Sequence, residues 1–360
     1  MKKALIVEIG GSHSECIYSQ AKFLSDSGYD LKLLCSENLR QRIEKLSLKC
    51  TVEYFKFGDS TASDWGLLRD LKRTLISSGE CTVIFNTAGG NLVRNLLSFH
   101  YPGGLKFIGV LHDLGKLKES FTQKLINRKI RKYFVLNDYL KEDFAGSSKI
   151  SLESFYPVFF PDYKKIELNK KNEELWICIP GNVEYSRRDY ISLLDCLKNE
   201  KVNPNIKFIL LGSSKHFNSD ADDLKKKVNE FNLHDRFVFF DGFVEEDLFH
   251  SYIRECDLVM PLIHKSHPFF QEVNGLKISG TFNVAFAHKK PILCEDSFSK
   301  FEDFRENGIF YKMEDMIKLI NKIADNKKII DELSPRRYTN PKWSFEFQKE
   351  KYINFIEGRI

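Results

Sequence analysis

Short, wholly apolar segments alternate with segments of helical periodicity through most of this 360-residue chain. The first apolar segment is "ALIVEI" (4–9), a helical pattern follows it, and "LKLLC" (31–35) comes after the glycine that ends this helix. Strands that are apolar on both faces and joined by helices are typical of a parallel sheet covered on both sides. The pattern therefore predicts an α/β protein built from βαβ units.

The strand pattern occurs in two series, separated by the charged stretch "DYKKIELNKKNEE" (162–174), which lacks an apolar face. Further strands are expected at 82–86, 106–111 and 133–137 in the first series, and at 175–181, 206–212, 237–242, 257–262 and 291–295 in the second. A chain of this length exceeds one ordinary core, so two domains are expected. The predicted organisation is a Rossmann-like domain over 1–161, a linker over 162–174, a second Rossmann-like domain over 175–335, and a final helix over 336–360 that packs back toward the first domain.

Composition excludes several classes of function. The formal net charge of +5 is too small to predict nucleic-acid binding. The sequence contains no run of about 18 apolar residues, which is the length needed to span a membrane. The start "MKKALIVEIGGS" leads directly into a glycine-rich loop, which indicates a first strand and not a signal peptide. The eight cysteines are scattered, without a Cys-x-x-Cys pair, as expected of free thiols in a reducing cytoplasm.

The residues after each strand are the candidates for binding and catalysis. Two doubly wound sheets bind ligands at the carboxyl ends of their strands, so a central cleft is expected between the two domains. After the first strand, Gly10, Gly11 and Ser12 form a turn that a substrate could approach, without the G-x-G-x-x-G pattern of dinucleotide binding. His13 and Glu15 could each take a proton there, or could be polar residues that only begin a helix.

Two other strand ends of the first domain carry polar residues. His112 and Asp113 follow the strand at 106–111 and could bind sugar hydroxyls or act as acid and base. Alternatively, Asp113 caps a local turn. Asn86 and Thr87 end the strand at 82–86 and could contact an acceptor, or form a plain turn.

In the second domain, glycines and arginines follow the first two strands. Gly181 and Gly212 turn the chain at these strand ends, and Arg187 and Arg188 lie just beyond the first of them. Arginine is well suited to bidentate binding of phosphate, so at least one of the pair is expected to point into the cleft.

A later helix start gathers small and cationic residues. Lys277 lies just before the start, where Ser279, Gly280 and Thr281 present hydroxyls and N–H groups. The amino end of a helix favours an anion, and we expect a phosphate at this position. The alternative is a glycine-rich helix start with a solvated lysine.

Five segments together resemble the GT-B glycosyltransferases, most closely the large bacterial retaining family that builds polysaccharides and glycolipids. These segments are "EIGGSHSE" (8–15), "LHDL" (111–114), "GNVEYSRRDY" (181–190), "FVFFDGFVEEDLFHSYIRECDLVMPL" (237–262) and "KISGTFNVAFAHKKPIL" (277–293). The resemblance covers nearly the whole chain. It implies two Rossmann-like domains that face a central cleft, with the acceptor in the first domain and a nucleotide sugar in the second.

The chain departs from this family at the donor helix. The family often has two glutamates separated by seven residues, and those positions hold Leu276 and Val284 here. Glu272 could replace the first glutamate, and Lys277 could supply the family's usual lysine. His13 stands where inverting GT-B enzymes often place a base histidine, so the stereochemical outcome stays open, with a slight preference for retention.

The resemblance implies transfer of a sugar from a nucleotide-diphosphate sugar to a saccharide or lipid-linked acceptor, in bacterial surface polysaccharide (capsule or lipopolysaccharide) or glycolipid synthesis. Fixed cations would stabilise the leaving phosphate, so neither a metal nor a cofactor is expected. Two alternatives remain: a nucleotide-sugar 2-epimerase of the same fold, and a non-enzymatic nucleotide-sugar-binding protein.

One basic segment predicts a further partner. Residues 116–134 contain seven cations and a single acid, Glu119, with Phe121, Leu125 and Ile126 interleaved. Such a stretch can lie on anionic lipid, or can be a solvated basic helix. We therefore expect a cytoplasmic protein with peripheral binding at the inner face of the cell membrane.

Overall fold

The computed structural model describes residues 1–57, 65–142, 149–214 and 219–359. The chain divides into two compact units. The first unit contains Met1–Pro161, Gly275–Ile278 and Lys342–Ile360, and the second contains Asp162–Asn274 and Ser279–Pro341. Each unit is built around one parallel sheet.

The sheet of the first unit has seven parallel strands in the order β3-β2-β1-β4-β5-β6-β7. The strands are β1 (Lys3–Glu8), β2 (Asp30–Ser36), β3 (Thr51–Phe55), β4 (Cys81–Phe85), β5 (Leu105–Leu111), β6 (Lys132–Leu136) and β7 (Ser151–Phe155). The helices among them are α1 (Ile17–Asp26), α2 (Arg40–Lys45), α3 (Trp65–Ser77), α4 (Gly90–Leu97), α5 (Gly115–Glu119), α6 (Phe121–Ile126) and α7 (Tyr139–Glu142). Strand order reverses between β1 and β4, which is the switch point where open α/β sheets bind ligands.

The sheet of the second unit has six parallel strands in the order β10-β9-β8-β11-β12-β13. They are β8 (Leu175–Pro180), β9 (Ile206–Ser213), β10 (Phe237–Phe240), β11 (Leu258–Val259), β12 (Ile292–Glu295) and β13 (Gly308–Tyr311). The helices are α8 (Tyr190–Asn199), α9 (Asp220–Glu230), α10 (Glu246–Glu255), α11 (Pro268–Val273), α12 (Gly280–Ala287), α13 (Glu302–Asn307), α14 (Met316–Asp325) and α15 (Ile329–Leu333). The predicted α/β class and the two Rossmann-like sheets are confirmed.

Three strands were missed in the sequence: β3, β7 and β13. All three are edge strands of their sheets. An edge strand needs less apolar surface than a central one, and β3 and β7 alternate apolar and polar residues where the central strands are uniformly apolar.

The last helix, α16 (Phe345–Glu357), belongs to the first unit. Its Tyr352 is fully buried, and the Tyr352 ring stacks on Phe134 of β6 with centroids 4.3 Å apart. The Ser344 side chain caps the helix by accepting from the Phe347 N–H at 3.3 Å. This burial holds the end of the chain against the first sheet.

Two connecting segments bear on the predicted boundaries. Residues 162–174 contain no helix or strand and belong to the second unit, where the Ile166 N–H donates to Ser251 Oγ at 2.9 Å. The four residues Gly275–Ile278 belong to the first unit, although the chain on either side of them belongs to the second. Sequence analysis did not predict this excursion.

Candidate functional site

A buried carboxylate ends β1 at the carboxyl edge of the first sheet. Glu8 is fully buried and accepts hydrogen bonds from Asn86 Nδ2 (2.8 Å), Thr87 Oγ1 (2.5 Å) and the Gly10 N–H (2.9 Å). Burial raises the pKa of the Glu8 carboxyl, and these three donors offset part of the rise. Sequence analysis missed Glu8; an acid that ends an otherwise apolar strand was the available signal.

Asn86 joins the polar groups of this edge. The Asn86 Nδ2 also donates to the carbonyl of His13 (2.9 Å), and the Asn86 Oδ1 accepts from Gln20 Nε2 (2.6 Å). The Gln20 Oε1 in turn accepts from the hydroxyl of Tyr352 in α16 (2.9 Å). Asn86 is fully buried, so in this structure it holds the neighbouring loops together.

His13 and Glu15 form a hydrogen-bonded pair just after the glycine turn. The His13 backbone is left-handed (φ 58°), an unfavourable conformation for a residue other than glycine, and such residues concentrate at functional sites. The His13 Nδ1 lies 3.1 Å from Glu15 Oε1. A carboxylate can only accept, so Nδ1 carries the proton, and Nε2 of the neutral ring keeps its lone pair.

The Glu15 carboxyl is held in its ionised form. Removal of water by the surrounding protein raises its pKa, but the hydrogen bond and charge of His13 outweigh this effect, and the pKa is lowered overall. The His13 and Glu15 side chains are 37% and 52% exposed, so a substrate can reach both.

His112 lies face to face with His13. The two imidazole centroids are 3.6 Å apart with ring planes 10° from parallel. The His112 Nε2 lies 2.7 Å from the Asn86 carbonyl oxygen, so Nε2 donates and Nδ1 remains an acceptor. Burial, followed by the charge of His13, lowers the pKa of His112 to about 3, which keeps the ring neutral at neutral pH.

Asp113 has two partners within the first unit. Its Oδ1 accepts from the Gly115 N–H at 2.9 Å, which is the turn cap named above as an alternative, and its Oδ2 lies 3.5 Å from Lys277 Nζ. The Lys277 carbonyl accepts from the Tyr139 hydroxyl, and the Leu276 carbonyl accepts from the Leu114 N–H at 2.9 Å. The structure therefore groups Lys277 with the first unit, whereas Ser279, Gly280 and Thr281 belong to the second.

The other acceptor-side candidates shape the loop around His13. Gly11 has φ 73°, and a Cβ there would lie 2.5 Å from Asn38 Nδ2, so this position requires glycine. Ser12 is exposed. Gly10 and Thr87 both direct their donors at Glu8.

In the second unit, glycines at two strand ends allow close packing beside Arg188. Gly181 has φ 104°, and a Cβ there would lie 2.2 Å from Arg188 Nη2. A Cβ on Gly212 would lie 2.3 Å from the carbonyl group of Gly181. Gly181 therefore makes room for the Arg188 guanidinium, and Gly212 makes room for the backbone of Gly181.

Arg188 is a buried cation with only neutral oxygen partners. It is 7% exposed and donates to the carbonyls of Pro180 and Asn182 (3.1 Å for Asn182), while its Nε has no hydrogen-bond partner among the described residues. The Glu184 carboxylate pairs with exposed Arg187 instead, at 3.2 Å. Burial lowers the pKa of Arg188, which shows the cost of holding this charge without an adjacent anion.

The amino end of α12 lies beside Arg188. The Thr281 Oγ1 is 3.4 Å from Arg188 Nη2 and 3.1 Å from the Pro180 carbonyl oxygen. Ser279 is the N-cap residue, but its side chain makes no capping bond, and a Cβ built on Gly280 would meet no atom of the other described residues outside the helix within 4 Å. Glu272 is an exposed residue of α11.

A buried histidine supports the residue after Arg188, and sequence analysis did not identify it. His264 is fully buried, with Nδ1 2.7 Å from Asp189 Oδ2 and Nε2 2.9 Å from the Tyr311 hydroxyl. Burial raises the pKa of Asp189, but hydrogen bonds from His264 and Ser192 outweigh it and lower the pKa to about 2. This network fixes the start of α8 and, with it, the position of Arg188.

The described residues contain neither a metal-binding cluster nor a membrane-spanning helix. No group of three or more His, Cys, Asp or Glu side chains there could hold a metal ion. None of the helices in these ranges combines the length and the apolar character needed to cross a membrane.

No known family profile matches the sequence, and no curated protein is similar enough to be a relative. Solved structures match over the whole chain. HepE from Anabaena, solved with UDP-glucose, is 14% identical, with a TM-score of 0.69 over 99% of this chain and 100% of its own. A glycosyltransferase from Rickettsia africae is 12% identical, with a TM-score of 0.66 over 99% and 98%.

A third neighbour belongs to another enzyme class. This protein from Listeria monocytogenes, assigned as a UDP-N-acetylglucosamine 2-epimerase, is 13% identical, with a TM-score of 0.67 over 100% of this chain and 97% of its own. Identities this low define the fold alone. The chain has the GT-B fold, and the resemblance drawn from its sequence is confirmed at that level.

Proposed function

We propose that the protein transfers a sugar from a nucleotide-diphosphate sugar to a saccharide or lipid-linked acceptor, in the synthesis of a bacterial surface polysaccharide or glycolipid. The main support is the buried Arg188 guanidinium, which has no carboxylate partner among the described residues and lies beside the start of α12. A diphosphate would supply the missing anion. Solved neighbours that bind UDP-glucose agree with this class of donor.

Arg188 has a direct role in this reaction. As the glycosidic bond breaks, negative charge grows on the β-phosphate of the donor. A cation already buried in dry surroundings stabilises that charge without reorganisation, so the stabilisation is largest at the transition state. The proposed transfer needs no metal ion. Turnover that a strong chelator leaves unchanged would support this part of the proposal.

The first unit binds the acceptor and supplies the base. Glu15 fixes the proton of His13 on Nδ1, so Nε2 can take the proton of an acceptor hydroxyl, and Glu15 then stabilises the imidazolium. This geometry favours inversion of configuration, in contrast to the slight preference for retention that the family resemblance implies. In a retaining reaction the leaving phosphate could take the proton, and neutral His112 would contact the sugar through Nδ1.

A binding screen tests the donor class. UDP-, GDP- and CDP-sugars are titrated into the full-length protein, and the tightest donor is then incubated with acceptor mixtures. We expect saturable binding of one nucleotide series and release of the nucleoside diphosphate that depends on acceptor. Absence of binding by all three series would overturn the proposal.

The epimerase remains a second candidate because of the Listeria neighbour. An epimerase needs no acceptor. Incubation with UDP-N-acetylglucosamine alone, followed by NMR of the sugar, separates the two: inversion at C2 identifies an epimerase. Binding without turnover under any condition would identify a non-enzymatic binding protein.

We also propose that the protein docks on anionic membranes through α5 and α6. Phe121 is 72% exposed, and exposed Lys118, Lys124 and Arg128 form no ion pair with a carboxylate in the described ranges. A solvated apolar ring among uncompensated cations suits an anionic lipid surface. Flotation with phosphatidylglycerol vesicles should decline with salt and with Phe121→Ser, and equal flotation of a variant with these cations reversed would exclude this surface.

A further inference from the structure

The loop before α4 leads into a glycine-rich helix start. Gly89 is the N-cap residue and Gly90 the first residue of this eight-residue helix. No side chain in the described part of the chain caps the helix, and its first turn contains no acidic residue. Its N–H groups and its positive dipole end therefore favour an anion.

Lys116 adds a cation at the same position. Its Nζ lies 3.8 Å from the point that a Cβ on Gly89 would occupy. Lys116 is exposed and pairs with no carboxylate of the residues that the structure describes. Its charge also reaches His112, whose pKa is lowered mainly by burial and further by the charges of His13 and Lys116.

Gln123 faces this loop with an unsatisfied acceptor. It is 1% exposed, and its Oε1 has no hydrogen-bond partner among the described residues. This oxygen lies 3.6 Å from the Cβ position of Gly89. The Gln123 Nε2 donates to Asn127 Oδ1 and to the Tyr133 hydroxyl, both at 3.2 Å, and this arrangement directs Oε1 toward Gly89. A buried acceptor without a partner calls for a donor such as a hydroxyl.

We propose that this loop binds an acidic saccharide, a sugar that carries a carboxylate or a phosphate, as the acceptor of the transfer; the inference rests on the function proposed above. Lys116 and the α4 N–H groups bind the acidic group, and Gln123 Oε1 accepts from a sugar hydroxyl. The neighbouring His112 and His13 then lie beside the rest of the sugar. This assigns to the first unit a substrate class that neither the fold nor the neighbours specify.

The test compares acidic sugars with a neutral one. Glucuronate, glucose 6-phosphate and glucose are titrated into the full-length protein by calorimetry, and binding is mapped by NMR of glycine-labelled protein. We expect at least one acidic sugar to bind and to shift the Gly89 and Gly90 amides, with glucose much weaker. The preferred acidic sugar shows whether the group is a carboxylate or a phosphate.

Two pairs of variants complete the test. Lys116→Gln removes the cation, and Gly89→Ala places a methyl in ordinary contact with Gln123 and Lys116 at a backbone angle that alanine adopts. Both substitutions should weaken binding of the acidic sugar about tenfold. Lys116→Gln removes a charge-assisted contact, and Gly89→Ala fills space that the sugar would occupy. Lys118→Gln and Gly103→Ala, which has open space around its Cβ position, are the matched controls and should bind as the wild type does.

The outcomes separate this inference from the proposed function. Equal weakening by Lys116→Gln and Lys118→Gln, unchanged binding in both test variants, or no saturable binding of either acidic sugar would each overturn the inference. UDP-sugar binding in the same preparations tests the proposed function independently. If nucleotide sugars bind and acidic sugars do not, only the acceptor class is wrong.

Discussion

The carboxyl edges of the two sheets have opposite chemistry. In the first unit, Glu8 and Glu15 lie among two imidazoles, and hydrogen bonds fix which nitrogen of each ring carries the proton. In the second unit, the Arg188 guanidinium is buried among carbonyls, without a carboxylate beside it in the described residues. One edge is suited to moving a proton, and the other is suited to holding an anion.

The difference follows from the side chains themselves. An imidazole can lose and regain its proton near neutral pH, and a carboxylate beside it stabilises the charged form. A guanidinium keeps its proton and offers only donors, so it can bind an anion but cannot act as a base. Two sheets that share the order of their first six strands can therefore present different chemistry at their carboxyl edges.

Removal of His13, the proposed base, should have the largest effect on turnover. His13→Ala is expected to lower turnover by about 10²–10⁴ while the donor dissociation constant stays unchanged, because proton transfer is lost and phosphate binding is not. His13→Asn is the matched control, since asparagine tolerates the left-handed backbone. Similar losses in both variants, with an inverted product linkage by NMR, would support the base; a retained linkage with full activity in both would contradict it.

Replacement of the buried Arg188 should weaken nucleotide-sugar binding. Arg188→Gln is expected to weaken nucleotide-sugar affinity by about 1.5–3 kcal/mol, the value of a hydrogen bond to a charged group. Arg187→Gln, one residue earlier and exposed, should stay close to wild type. Calorimetry measures the affinities, and thermal unfolding identifies any loss of folding. Equal losses of nucleotide-sugar affinity in the two variants would contradict a specific role for the buried arginine.

Acid should destabilise both units through one histidine each. His112 in the first unit and His288 in the second have pKa values lowered to about 3, in each case first by burial. The unfolded chain protonates these rings near pH 6.5 and the folded chain does not, so stability is complete above pH 6.5 and falls as the pH drops toward 3. Each histidine should lower the free energy of unfolding by at most about 2 kcal/mol between pH 6.5 and pH 5.

The measurement is chemical unfolding at pH 7 and pH 5. His112→Asn and His288→Asn should each reduce the difference in unfolding free energy between the two pH values. An unchanged difference in either variant would mean that its histidine is protonated in the folded state.

The smallest expected effect belongs to Lys277. Its ammonium already lies 3.5 Å from Asp113 within the first unit, so a phosphate would have to compete for it. Lys277→Ala should weaken nucleotide-sugar binding by about 1.5 kcal/mol, the low end for a charge-assisted contact. Asp113→Asn should preserve or strengthen binding because it frees the cation. Unchanged affinity in Lys277→Ala would exclude the phosphate role.

Much of the architecture was predictable because a buried strand can be recognised from its amino-acid sequence. The central strands are uniformly apolar, and this marks them in the sequence and places the candidate residues at their ends. The same logic located His13, His112 and Arg188. It could not show that Gly181 clears space for the Arg188 guanidinium, or that Gly212 clears space for the Gly181 carbonyl, because both facts depend on contacts between residues distant in the sequence.

Other features depend on distant contacts that periodicity does not record. Glu8 looked like the end of a strand, and only its three donors from neighbouring loops make it part of the site. Lys277 looked like part of a helix start, but the first unit holds its carbonyl through Tyr139. A local pattern specifies which residues lie at an edge and not which unit holds them.

The return of α16 to the first sheet has a consequence for biosynthesis. Tyr352 completes the hydrogen-bond chain through Gln20 to Asn86, so the loop that carries His13 lacks its last support until this helix leaves the ribosome. About 180 residues separate Pro161 from Lys342, which at ordinary rates of elongation corresponds to roughly 10–40 s. The first unit therefore stays incomplete while the second unit is synthesised. A nascent chain stalled before residue 342 should contain the folded first sheet, but its His13 loop should lack the support of Tyr352.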